Sequence, residues 1–338
     1  MSVIFSILIS IITIFILNFF FLKKNFLIDK KVLIHKSFVS KDLVPLTGGF
    51  VIFINLIIFN SDNLIFFFLI FLIGMLSDAF IIKNPLKKIF YQFFILFLFV
   101  YLSGVTILQT KVSLIDFLLN YKLFSILFTT FCLLIVVNGS NFLDGVNTLV
   151  CGYYILVTLV VLYFCKQNEF ILFDLNNFNN IIYSLIVIYF FNFFSKIYLG
   201  DSGSFLLGSF VGYYLIILFN NNLNLANYIS PYFVVLLLWY PAFENFFSII
   251  RKLIRKKRPT APDNLHFHHL LFSFLKKKHN SIYINTLTGN IINVFNLFSF
   301  LVGMNFYYHT QYLIFIIIFN VSFYSIIYFY LYKNFKKK

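Results

Sequence analysis

The chain has 338 residues, 61% hydrophobic and 22% aromatic, with 11 acids against 26 Lys and Arg and a net charge of +15. A mean hydropathy of +0.93 is too high for a soluble core under a polar shell, so a soluble globular protein is excluded and a polytopic membrane protein is expected. The basic excess does not require nucleic acid as a partner, because topology and anionic headgroups account for most of it.

Apolar runs long enough to cross hydrocarbon recur along the whole chain. They lie near 2–22, 45–60, 64–77, 89–108, 123–138, 148–165, 181–195, 203–219, 231–250, 287–304 and 310–332. The fold class expected is therefore all-α, with about 11 transmembrane helices; the third, seventh and tenth runs are the weakest. The first run has no basic residue before it and Lys23 and Lys24 after it, so it reads as a retained helix with its N-terminus outside. The Asn-rich stretches 176–180 and 220–224 read as loops. Cys132, Cys151 and Cys165 fall in apolar segments without metal or disulfide spacing and read as small core residues.

If the helices alternate, the loops after odd-numbered helices share one face and carry 23 of the 26 Lys and Arg, leaving Lys111, Lys122 and Lys166 to the other. Basic residues in short loops stay cytoplasmic, so this face and the C-terminus are assigned to the cytoplasm.

The same loops hold every unusual cluster. In chain order they are VPLTGG at 44–49, SDAFIIKNPLKK at 77–88, NGSNFLDGVN at 138–147, KIYLGDSGS at 196–204 and RKLIRKKRPTAPDNLHFHHLL at 251–271. A site assembled there, at headgroup level, suits one substrate dissolved in water and another that is a lipid with a polar head. Asp78, Asp144 and Asp201 offer hard oxygen ligands suited to Mg²⁺, with substrate phosphates filling its other positions. Glycines such as Gly48 and Gly49 let backbone approach a phosphate, and Lys88, Lys196 and the basic run ending at Arg258 can neutralise charge.

Each feature has a plainer reading. Asp144 or Asp201 alone is as readily a helix N-cap, and Asp78 a solvated boundary carboxylate. The 252–258 run alone is more often topological, and His266, His268 and His269 lack the cysteines or helical spacing of a zinc site. Glu244 reads as a structural partner for Arg251 or Lys252.

Taken together and in order, these motifs resemble the polyprenyl-phosphate N-acetylhexosamine-1-phosphate transferases (glycosyltransferase family 4), over about residues 1–332. VPLTGG, GMLSD, NGSNFLDG and KIYLGDSGS each match a family motif, and RPTAPDNLHFHHLL is similar to that of the GlcNAc-1-phosphate transferase branch. The resemblance implies a single membrane-embedded domain, 1–338, with catalytic loops near 23–46, 77–88, 138–147, 196–204 and 251–283, in a bacterial plasma membrane. It implies Asp201 as the ligand of Mg²⁺ (Mn²⁺ as the alternative), with Asp78 near the metal and reacting phosphates. It places Asn141 and Asp144 on the nucleotide sugar, and Lys88, His266, His268 and His269 along the phosphate and sugar region. The substrates implied are a UDP-HexNAc and undecaprenyl phosphate; whether the chain pairs as a homodimer is left open.

Two positions depart from the family pattern. The paired aspartates are here Ser77 and Asp78, and the second acid of D-G-x-D is Asn147, which keeps a hydrogen-bonding side chain for the nucleotide but loses the charge. Two other classes compete with the transferase: a family member that binds lipid phosphate without catalysis, and a transporter, which would need midplane polar residues and inverted repeats.

Overall fold

The structure is a computed structural model and describes residues 2–29, 43–59, 63–167, 175–223, 229–261, 263–279 and 281–336. The chain is an all-α polytopic membrane protein. In order, its helices are α1 (Ser2–Lys24), α2 (Gly48–Ile58), α3 (Leu64–Asp78), α4 (Pro85–Ser103), α5 (Ser113–Leu119), α6 (Lys122–Leu143), α7 (Leu149–Gln167) and α8 (Leu175–Phe193). There follow α9 (Gly200–Asn221), α10 (Pro231–Leu237), α11 (Trp239–Ile254), α12 (Phe267–Lys278), α13 (Ile284–Met304) and α14 (Thr310–Lys336). A two-residue antiparallel ladder pairs β1 (Ile28–Asp29) with β2 (Val44–Pro45).

Among the described residues seven helices are long and apolar enough to cross a membrane, and the α10–α11 pair, bent by 71°, makes an eighth if counted as one span. The other three expected spans, at α2, α3 and α8, are shorter apolar helices. The tenth run, weak in sequence, is the full-length α13. The run at 231–250 is not one helix: it breaks at Leu238, where Pro241 in the first turn of α11 has no N–H to donate back to α10. The stretch 176–180 is helical rather than a loop, as the start of α8. The fifth loop contains α12, whose apolar face packs on α13 and α14. Residues 30–42 of the expected first catalytic loop, and Pro262 and Asn280 of the fifth, lie outside the described residues.

The central element is α9, almost wholly buried and packed against α2, α3 and α6. Its Gly and Ser residues permit this, since helices in lipid associate through small residues that bring backbones together; Gly208 lies against Val137 and Ser140 of α6. α11 inverts soluble amphipathicity. Glu244, Arg251 and Lys252 are buried, whereas Ile250, Leu253 and Ile254 are exposed, as expected of a helix with lipid outside and protein within.

Candidate active site

The ends of α3 and α6 and the starts of α4 and α9 meet at one level. Gly200, the first residue of α9, has φ +75°, and a Cβ there would lie 2.7 Å from Asp78 Oδ2. Only glycine fits that turn. The tight turn delivers the N–H groups of Asp201 and Ser202 to Asp78, which accepts them at 2.8 Å on Oδ1 and 3.0 Å on Oδ2. Asp78 therefore caps α9, satisfying donors that a helix start leaves unpaired.

With Asp78 occupied in this way, Asp201 is the carboxylate presented to the convergence of helices. Its Oδ2 accepts from Ser77 Oγ at 2.6 Å and from Lys88 Nζ at 2.9 Å, and its Oδ1 accepts from Asn141 Nδ2 at 2.6 Å. Four helices thus contribute one polar side chain each. Lys88 and Asp201 keep 20% and 26% of their side chains exposed, enough for a ligand to reach them. Ser77, which stands where the family pattern has an acid, holds Asp201 as a hydrogen-bond donor.

Next to this cluster, Asp144 ends α6 and the chain turns through Gly145 to Asn147. This turn, with Asn192, Tyr198 and Asn285, lines a cleft that opens to solvent. Asn147 is buried, and its Nδ2 donates to Ser195 Oγ at 2.7 Å. Its side-chain donor is thus bound within the protein.

The histidine loop is tied down by a buried ionic network. Arg251 Nη2 holds both oxygens of Asp263, at 2.8 and 2.9 Å, and its Nη1 donates to the Leu265 carbonyl at 2.6 Å. Burial alone would raise the Asp263 carboxyl, but the Arg251 guanidinium beside it holds it below the ordinary carboxylate range. Glu244 does not pair with Arg251 or Lys252; it meets His266 Nδ1 at 2.9 Å and the Tyr324 hydroxyl. Lys252 Nζ instead donates to the Pro259 carbonyl at 3.0 Å.

The three histidines are therefore not equivalent. His266 lies between Glu244 and Asp263 and serves the loop's structure. His268 is fully buried with its edge against Gly145, its two ring nitrogens have no hydrogen-bond partner among the described residues, and burial pushes it well below the ordinary imidazole range, so it is neutral. His269 is half-buried beside it, ring centroids 4.2 Å apart.

Other expected site residues lie elsewhere. Gly48 and Gly49 do not offer their N–H groups to a phosphate: they donate to the Tyr198 and Leu199 carbonyls at 3.0 and 3.2 Å. Their missing side chains let α2 press on the loop that carries Asp201. Lys196 and Arg258 are exposed. Asn285, unremarkable in an Asn-rich sequence, joins the cleft only because α13 packs on α7.

Among the described residues no group of three or more His, Cys, Asp or Glu side chains could cage a metal. The one carboxylate presented there, Asp201, is nevertheless within the one or two that Mg²⁺ commonly takes alongside substrate phosphates. The cation already placed on Asp201 Oδ2, the Lys88 ammonium, shows that the position favours positive charge.

The family described as Glycosyl transferase family 4 matches residues 62–219, from the start of α3 to near the end of α9. An undecaprenyl-phosphate alpha-N-acetylglucosaminyl 1-phosphate transferase of Thermotoga maritima is 30% identical over 230 residues, covering 67% of this chain and 67% of that protein. A probable undecaprenyl-phosphate N-acetylglucosaminyl 1-phosphate transferase of Bacillus subtilis is 26% identical over 161 residues, 47% of this chain and 44% of the relative. With that likeness and the Ser77–Lys88–Asn141–Asp201 convergence inside the matched region, the chain belongs to glycosyl transferase family 4.

Proposed function

We propose that this chain transfers a HexNAc-1-phosphate, GlcNAc by the names of both relatives, from a UDP-sugar to undecaprenyl phosphate, releasing UMP and starting a surface polysaccharide. The observation that carries the reading is Asp201, held by Ser77, Lys88 and Asn141 where four apolar helices begin or end. A lipid phosphate and a dissolved diphosphate can meet at that depth.

The acceptor is a phosphate monoester whose second pKa near 6 leaves it largely dianionic at neutral pH, so no protein base is required to make the nucleophile. Its oxygen bonds to the sugar-bearing phosphorus while the bond from that phosphorus to the UMP oxygen breaks, and the anomeric bond stays intact. Lys88 neutralises charge on the reacting phosphates, Asn141 and Ser77 keep the Asp201 carboxylate in place, and the neutral His268 with His269 closes the sugar side behind Gly145. Mg²⁺ on Asp201 would supply further neutralisation of the diphosphate. One phosphoanhydride replaces another, so the reaction is near balance.

The site is proposed to face the cytoplasm from a bacterial plasma membrane, in a chain of eleven spans with its N-terminus outside and its C-terminus inside; the uneven distribution of Lys and Arg between alternate loops supports that reading. The test is incorporation of radiolabelled UDP-GlcNAc into chloroform-extractable lipid by purified protein with undecaprenyl phosphate and Mg²⁺. Label that disappears in Asp201→Asn and with a chelator supports the reading. No label from any UDP-HexNAc with folded protein overturns it in favour of a chain that binds lipid phosphate without catalysis.

A further inference from the structure

Three amides line the cleft beside Asp144, and their hydrogen bonds can be accounted for one by one. Asn147 Nδ2 donates to Ser195 Oγ at 2.7 Å, and Asn192 Nδ2 donates to the Ile197 carbonyl at 2.8 Å. Asn285 differs. It is 4% exposed, its Oδ1 accepts the Asn147 N–H at 3.3 Å, and its Nδ2 has no partner among the described residues. The amide cannot be turned round without setting its N–H₂ against the Asn147 N–H, so the unspent group is a donor. A buried donor left unpaired is costly, and an acceptor entering the cleft would remove that cost. The lining also includes one aromatic ring, Tyr198, suited to a planar ligand.

We propose that Asn285 is a specificity-determining residue for the donor nucleotide: its Nδ2 donates to the 4-carbonyl of a uracil base seated in this cleft. The assignment rests on the UDP-sugar reading given above. The 4-carbonyl is the acceptor that distinguishes uracil from cytosine, which carries an N–H₂ donor there. A protein donor at that point favours the first and opposes the second. The family's acid at position 147 is here an amide, and the Asn147 backbone is what orients Asn285.

The test is equilibrium binding of UDP, CDP and Mg²⁺-pyrophosphate to the full chain in lipid nanodiscs, for the unmodified protein and for Asn285→Ala, Asn285→Ser and Asn285→Asp. The unmodified chain should prefer UDP to CDP. Asn285→Ala should weaken UDP about tenfold, the scale of one lost hydrogen bond to a buried group, and leave pyrophosphate unchanged. Asn285→Asp, now an acceptor, should shift the preference towards CDP. In turnover, Asn285→Ser should raise KM for the UDP-sugar with kcat nearly constant. Undiminished UDP preference in both Asn285→Ala and Asn285→Asp, or parallel loss of UDP and pyrophosphate in every variant, overturns the proposal while leaving lipid labelling intact as support for the transferase. An unmodified chain that binds neither nucleotide and labels no lipid overturns the transferase reading itself.

Discussion

Asp78 Oδ1 accepts the backbone N–H of Asp201 at 2.8 Å, so one of the two site aspartates is the cap of the helix that carries the other. Their roles separate on that contact. Asp78→Ala should orphan two N–H groups and lower stability by about 1–2 kcal/mol, together with activity. Asp201→Asn should leave the thermal midpoint near that of the parent while removing at least 99% of lipid labelling, roughly the hundredfold loss of a key electrostatic group. Paired melting curves and initial rates check this; equal loss of stability in the two variants would contradict it.

Ser77 donates a single hydrogen bond to Asp201 at 2.6 Å, and the attacking phosphate ionises without help. Ser77→Ala should therefore cost about 1 kcal/mol, a rate loss of roughly fivefold. A complete loss of turnover in Ser77→Ala, with the protein folded, would show that the hydroxyl takes part in chemistry.

Lys88 reaches Asp201 at 2.9 Å from the first turn of α4 and also lies 5.4 Å from the Phe205 ring. Lys88→Met should lower kcat by about 10²–10³ through loss of the cation beside the phosphates, and Lys88→Arg should restore part of it. Steady-state kinetics with both substrates varied separates this from a binding defect, which would appear in KM alone.

The Arg251–Asp263 pair gives a pH signature. The Asp263 carboxyl is lower in the folded chain than when unfolded, so its contribution is present above the unfolded value of about 3.9 and is lost as pH falls through the folded one. Asp263→Asn should melt below the parent at pH 5–8, with the two midpoints converging only below about pH 4. Melting curves across pH 3–8 test it; a gap that does not begin to narrow below about pH 4 would assign the loss to packing.

The membrane class, most helix segments and the shared face of the motif loops were legible in the sequence, because long, predominantly apolar runs and a biased distribution of Lys and Arg are local properties governed by lipid and by topology. Asp201 and Lys88 stand at the edges of apolar runs and could be named from the residues as candidates for the site, whereas Asn141 could be named only through the family resemblance. Their division of labour was not legible. That Asp78 caps α9, that Gly48 and Gly49 spend their N–H groups on the Tyr198 and Leu199 carbonyls, that Glu244 meets His266 and that Asn285 lines the cleft are contacts between residues from 22 to 150 positions apart. A hydrogen bond is decided by distance and angle, and those depend on how α2, α3, α9, α11 and α13 pack together, which no local pattern specifies.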